Sequence, residues 1–330
     1  MTTADAWSET PATALLVLSD GSIIEGQGLG ATGQAVGEIC FNTAMTGYQE
    51  ILTDPSYSGQ IITFTFPHIG NVGTNDDDLE TVNMAADSGI RGVVLAAAIT
   101  DPANYRAAKH LDAWLKSRNL IGISGVDTRA LTALIREKGV PNGVIAHAPD
   151  GQFDVDSLKA AAANWPGLVG MDLAKDASTT QSHPWSQTTW KWNEGYGEAS
   201  DASYKVVAID YGIKRNILRL LTDAGCQVTV LPATANGSRT FWRTIGTAFF
   251  CPNGPGRSGR HRRPMPSSTI RNLWSRKAIP TFGICLGQPD GWPGPLGGKT
   301  VKNAPGTPWC ETIRLWTTRP AKVEISLDNQ

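Results

Sequence analysis

Between Lys205 and Leu231 the hydrophobic period of the chain switches twice. Lys205–Ile209 is a continuous apolar run of strand length. Ile213–Asp223 carries Ile217, Leu218, Leu220 and Leu221 as the apolar side of a helix, and Gly225 stands just past its end. Gln227–Leu231 is apolar again. A strand, a helix and a strand joined by short turns imply a parallel pair with a right-handed crossover. Two later runs, Thr247–Cys251 and Ile279–Ile284, extend that sheet, each ending in a Gly-containing turn. In such sheets the chemistry gathers at the carboxyl ends of the strands.

The first half reads differently. Ala14–Leu18, Ser22–Glu25, Glu38–Asn42 and Ile61–Phe66 are short β-rich runs separated by Gly-rich turns. Asn104–Ser117 reads as a helix with Ala108, Leu111, Trp114 and Leu115 on one face. Thr128–Lys138 is a second helix, with Leu131, Leu134 and Ile135 inward, Asp127 as its N-cap and Gly139 as its stop. Residues 176–203 are rich in Ser, Thr, Gln, Trp and Gly without a sustained period and read as a linker, partly packed through its tryptophans. A chain of 330 residues exceeds a single hydrophobic core. The expected fold class is therefore α/β with two domains: a mixed α/β unit over residues 12–175, the linker 176–203, and a parallel-sheet domain over 204–330.

Composition removes several function classes. A net charge of −1 gives no electrostatic basis for binding nucleic acid or an anionic membrane surface. Met1–Ala14 has no basic segment followed by an apolar core, so no secretory signal is expected. No apolar run approaches the roughly 18 residues that span a bilayer. Gly92–Ile99 is among the longest and has the length of a buried strand. The cysteines (Cys40, Cys226, Cys251, Cys285 and Cys310) are odd in number, widely spread and without metal-ligand spacing, which suits reduced thiols in the cytoplasm and no metal site.

One of those thiols sits in a segment with chemical meaning. Pro280-Thr281-Phe282-Gly283-Ile284-Cys285-Leu286-Gly287 runs an apolar strand into Gly-x-Cys-x-Gly. The two glycines permit a sharp turn that presents a thiol at a strand end. A helix starting there would lower the thiol pKa and offer backbone N–H groups to an oxyanion. Taken alone, the motif also describes a small buried cysteine beside two turn glycines. Asn253-Gly254-Pro255-Gly256 follows the preceding strand, so both loops belong to one rim of the sheet. Alone, it also describes an ordinary tight turn.

Together the two loops resemble the class I glutamine amidotransferases, which release ammonia from glutamine through a cysteine thioester. Asp210-Tyr211-Gly212-Ile213-Lys214-Arg215-Asn216-Ile217 resembles the carbamoyl-phosphate synthetase branch of that family. Longer strings are similar to the small subunit of that branch. They are the run from Phe41 to Ser58, Phe66-Pro67-His68-Ile69-Gly70-Asn71-Val72-Gly73, the run from Gly125 to Thr132, Arg136–Gly139, Pro166–Leu168 and Gly170–Ala174. The resemblance is nearly continuous from Ala14 to Pro232 and patchy beyond. It implies Cys285 as nucleophile and a glutamine held by Ser56, Gly254, Gly256 and Leu286, with Ser56 reaching across from the first domain. It further implies no cofactor in this chain and a large-subunit partner. That partner takes up the ammonia and makes carbamoyl phosphate from bicarbonate and ATP, for arginine and pyrimidine synthesis. No Gly-x-x-x-x-Gly-Lys-Ser/Thr loop is present, so ATP belongs to the partner.

After Cys285 the family pattern breaks. An apolar helix should follow, yet residues 288–295 hold three prolines and two glycines. Ala235–Ala248 and Arg257–Lys277 depart too, and no Asp or Glu occurs from Ala224 to Pro289, where Arg257, Arg260, Arg262 and Arg263 cluster. We read these islands as shifted reading frames in a truncated amidotransferase domain. Homology that stays unbroken in a single frame of the nucleotide sequence would refute this. The family's His-x-Glu pair lies near its C-terminus, whereas here no histidine follows Cys285. His68 belongs to the N-terminal signature and reads as structural, and His261 lies in a departing island. Three alternatives stay open: a catalytically silent docking subunit, an unrelated cysteine hydrolase using the same turn, and a chain that does not fold.

Overall fold

In the computed structural model, residues 11–81, 89–168, 170–235, 248–255 and 279–283 are described, together with two short backbone strands near the C-terminus. The apolar run Ala14–Leu18 forms β1, and its side chains alternate between two cores. Leu16 and Leu18 join one cluster with Ile39, Ile61 and Ile123, while Leu15 and Val17 face Val144, Ala146, Leu158 and Ala162. Burial on both faces explains why the strand shows no polar alternation.

β1 belongs to a closed barrel with β2 (Ile23–Gly30), β3 (Gly33–Asn42), β4 (Gln60–Phe64), β5 (Gly92–Val94), β6 (Ile121–Ser124) and β7 (Asn142–His147), in the order β1-β2-β6-β5-β4-β3-β7. The β3–β4–β5–β6 segment is parallel and the remaining pairs are antiparallel. Closure leaves no open sheet edge. Helix α1 (Tyr48–Thr53) and helix α2 (Leu111–Ser117) cover one side through Tyr48, Leu52, Leu111, Trp114 and Leu115. Helix α3 (Thr128–Lys138) seats Leu131 and Ile135 against the cluster around Ile39, and helix α4 (Val155–Asn164) covers β1 and β7. The caps expected for α3 are present: Ala130 N–H donates to Asp127 Oδ1 at 2.9 Å, and Gly139 takes φ +90°.

The α2 expectation needs correction at its start. The helix begins at Leu111, not Asn104. Lys109 exchanges backbone hydrogen bonds with Thr74 at 3.0 and 3.1 Å, which removes its peptide groups from a helical ladder. His110 then caps α2 by accepting from Asp112 N–H.

Helix α5 (Leu173–Ala177) leads to β8 (His183–Trp185), β9 (Gln187–Lys191) and β10 (Gly195–Glu198). The span read as an aperiodic linker thus holds a two-stranded ribbon, β9–β10, and an edge strand. These strands of three to five residues are too short to display a period.

The second sheet has the order β14-β13-β11-β12-β8, with β11 (Tyr204–Asp210), β12 (Cys226–Pro232), β13 (Ala248–Cys251) and β14 (Thr281–Gly283). β11 through β14 pair in parallel and β8 joins antiparallel at the far edge. Helix α6 (Arg215–Asp223) connects β11 to β12 and buries Leu218 on Val206, Ala208, Val228 and Val230. The helical face differs from expectation at two positions: Leu220 is 55% exposed while Arg219 is 2% exposed. Arg219 is drawn inward by Gln187, Tyr196 and Glu80, partners from elements far away in sequence. Near the C-terminus, β15 (Ile313–Leu315) and β16 (Val323–Ile325) pair antiparallel.

Candidate active site

Two carboxyl ends of the second sheet, those of β11 and β13, meet a turn from the barrel domain. β13 ends at Cys251 and delivers Asn253, which is 3% exposed. Its Nδ2 donates to Ser56 Oγ at 2.7 Å and to the Gly212 carbonyl at 3.2 Å, while its Oδ1 accepts from Lys214 N–H at 3.4 Å. One amide therefore ties β13, the turn after β11 and the barrel turn together.

Ser56 lies in a single 3-10 turn, Pro55–Tyr57, that follows α1. Asp54 holds the turn: its Oδ1 accepts from Ser56 N–H at 2.9 Å and its Oδ2 pairs with Lys214 Nζ at 2.7 Å. Burial pulls the Lys214 ammonium down, but the charge of Asp54 and the bond to it win, so its pKa rises. Asp54 is 5% exposed, so the pair also neutralises a buried carboxylate at the seam between domains.

Two glycines are required sterically. A Cβ on Gly254 would lie 2.2 Å from the Tyr211 carbonyl oxygen, a backbone atom that cannot swing aside. Gly212 sits at φ +102°, and a Cβ there would meet Pro255 Cδ at 2.8 Å and Pro55 Cβ at 3.1 Å. Gly254→Ala is expected to destabilise the second domain by about 2 kcal/mol through overpacking. Urea unfolding measures this, and an unchanged midpoint would refute the close approach.

Beneath the turn, Asp210 ends β11 at 1% exposure. Its Oδ1 accepts from Gly212 N–H at 2.8 Å and Ile213 N–H at 2.9 Å, and its Oδ2 accepts from Thr179 N–H at 2.6 Å. Burial pushes this carboxyl above the usual range, against the three donors that lower it.

Of the residues singled out from the sequence, the structure brings Ser56 and the Asn253–Gly254 segment together across the domain boundary. Gly256, Cys285 and Leu286 lie outside the described residues. The strand leading to Cys285 is described: Gly283, two residues before it, is level with Cys251 in the parallel β13–β14 pair. Of the described thiols, Cys251 ends β13 beside the site and is buried, while the other two belong elsewhere. Cys40 is a barrel residue whose thiol burial pushes up to about 12, and burial also raises that of Cys226. Sequence reasoning did not single out Asp54, Asp210, Lys214 or Asn253 as individual site residues, although each stands in a segment it had marked. Glu80 carried no signal. It accepts from Asn216 N–H at 2.9 Å and so caps α6 from 136 residues away. Among the described residues, no group of three or more His, Cys, Asp or Glu is arranged to hold a metal ion. No described helix is long and apolar enough to cross a membrane.

Two family models match parts of the chain. Residues 16–145 match the family model described as carbamoyl-phosphate synthase small chain, CPSase domain, and residues 207–289 match glutamine amidotransferase class-I. Carbamoyl phosphate synthase small chain from Bradyrhizobium diazoefficiens is 59% identical over 285 residues, covering 86% of this chain and 70% of that protein. The proteins of the same name from Mesorhizobium japonicum and Rhizobium meliloti are 57% and 56% identical, covering 90% and 87% of this chain and 74% and 71% of their own lengths.

Proposed function

The chain belongs to the carbamoyl-phosphate synthase small-chain family, and we propose that it serves as the glutamine-hydrolysing subunit of such a synthase, with Cys285 as its nucleophile. The observation that carries this reading is the 2.7 Å bond from Asn253 Nδ2 to Ser56 Oγ. It joins the loop after β13 to the barrel domain, beside the strand that runs into Gly283-Ile284-Cys285-Leu286-Gly287.

In this reading the Cys285 sulfur attacks the side-chain carboxamide carbon of glutamine. The carbonyl π bond opens to an oxyanion, which N–H groups of Gly254, Gly256 and Leu286 receive. The oxyanion re-forms its carbonyl as the C–N bond breaks, and the nitrogen leaves as ammonia after taking a proton. Water then hydrolyses the thioester to glutamate and restores the thiol. Ser56 contributes a hydroxyl from the barrel side, so binding glutamine depends on the domain seam. The ammonia serves a large subunit that holds ATP and bicarbonate, and this chain carries no cofactor. A chemistry that needs a free thiol suits the reducing cytoplasm.

Labelling tests the assignment. A glutamine-mimicking electrophile is expected to modify Cys285 selectively, with protection by glutamine and weaker labelling in Ser56→Ala. Labelling spread over Cys226 and Cys40, unaffected by glutamine, would sink it. A second reading has its own observation: no histidine follows Cys285 in these 330 residues. As this polypeptide stands, it would then act as a docking subunit that leaves ammonia-dependent synthesis intact.

A further inference from the structure

A cleft of about 410 Å³ opens along the domain seam, with Lys214 in its wall. Its charges divide by sign. Glu50 of α1, with Asp78 and Glu80, brings carboxylates from the barrel domain, while Lys214 and Arg219 bring cations from α6 and the turn before it. Arg106 adds one more cation, but it is already bound to Asp78 at 2.8 Å and stacked on the Trp190 ring at 4.6 Å. The wall charge sums to zero, with three carboxylates against three cations. Such a wall gives no net attraction to a multivalent anion or a bare cation, and favours a ligand carrying both signs.

Two groups in the cleft have spare capacity. Arg219 has a side chain only 3% exposed, yet a single hydrogen bond engages it, from Nε to Gln187 Oε1 at 2.9 Å. Its Nη1 stops 4.0 Å from Glu80 Oε1, too far for a hydrogen bond, because Glu80 is turned to cap α6 through Asn216 N–H. The guanidinium lies over the Tyr196 ring at 3.9 Å, which fixes its plane without using its Nη donors. Arg219 lines the cleft and its Nη groups are not among the buried unpartnered atoms, so donors of the guanidinium stay open to an acceptor there. Opposite, Glu50 is half-buried and has no ion-pair partner among the described residues. Its neighbours Asp78 and Glu80 deepen the negative field there.

We propose that this cleft is a binding site for a small zwitterion of the α-amino-acid class, its carboxylate received by the Arg219 Nη groups and its ammonium by Glu50. The indole of Trp190 and the phenol ring of Tyr196 supply apolar walls for the ligand's carbon skeleton. Lys214 is shared with the Ser56–Asn253 contact, but Glu50 and Arg219 make no hydrogen bond to it, and the proposal does not rest on the glutaminase reading.

Equilibrium dialysis of the full chain with labelled glycine, the smallest such zwitterion, tests the proposal. Saturable binding is expected, with acetate and methylammonium each weaker by about tenfold or more, since each makes only half of the charged contacts. Glu50→Gln preserves shape and leaves the Ser56–Asn253 contact untouched. It is expected to weaken glycine by about tenfold or more. Arg219→Met should do the same, and Glu50→Gln decides the matter where Arg219→Met fails to fold. Ser56→Ala should bind glycine normally, which separates this site from the proposed glutamine pocket. No saturable glycine binding, equal binding by acetate, or binding undiminished in Glu50→Gln would each overturn the assignment.

Discussion

Paired with a large synthetase subunit, a polypeptide of these 330 residues is expected to support carbamoyl phosphate synthesis from free ammonia normally. With glutamine the rate should fall about 10⁴-fold below that of a chain whose cysteine has a histidine base. The thiolate, not the thiol, attacks, and the departing nitrogen needs a proton; one imidazole ordinarily serves both steps. No histidine follows Cys285, and the described histidines are placed elsewhere. His110 caps α2, and His147 on β7 binds the Ala31 carbonyl at 3.0 Å. His68 is exposed against the edge of Phe66. His183 lies on β8, four strands away from β14 across the sheet, a separation of about 19 Å at the usual inter-strand spacing. The measurement is carbamoyl phosphate formed per subunit from each nitrogen source, repeated with added imidazole, which should restore part of the glutamine-dependent rate. Equal rates from glutamine and ammonia would sink the prediction. His261→Ala would then show whether His261 supplies the base.

How far the sequence speaks depends on how local the determining interaction is. Strand β1 was legible because it buries both faces, so Ala14–Leu18 is an unbroken apolar run, whereas β6 and β7 were not singled out. Helix α3 was legible because Asp127 and Gly139 act on their own neighbours. The start of α2 was not, because a backbone exchange between Thr74 and Lys109 sets it, and peptide groups look alike in every sequence. Leu220 and Arg219 were exchanged for a related reason. Helical period alone puts leucines inward, whereas a cleft built by Glu80, Gln187 and Tyr196 draws the arginine in. The site divides in the same way. Gly254 and Ser56 could be singled out from motifs, but the bond that brings them to one place spans 197 residues and is visible only in three dimensions.

Asp210→Ala should unfold the second domain most readily of the substitutions considered, costing about 3–5 kcal/mol in urea denaturation. Removing the carboxylate leaves the N–H groups of Gly212, Ile213 and Thr179 without their acceptor in a site where Asp210 is 1% exposed. Each unsatisfied buried donor costs about 1–3 kcal/mol, and partial relaxation toward water lowers the sum. The loss extends to the proposed chemistry, because the Gly212 carbonyl anchors Asn253 and Asn253 anchors Ser56. Asp210→Asn should be milder: its oxygen can still serve Gly212 and Ile213, but its amide N–H then faces the Thr179 N–H. The pH dependence has a fixed sign. Burial raises the folded-state pKa of Asp210, so its contribution is fully present below the ordinary carboxylate value of 3.8 and is lost as pH rises through the folded value. Glu50 and Glu80 are raised by burial as well and give the same sign, but they are common to both proteins and cancel in the difference. The stability of the unsubstituted chain over Asp210→Asn should therefore widen on acidification from neutral pH. A gap that narrows instead would mean that the three N–H donors outweigh burial and hold the carboxyl below its ordinary value.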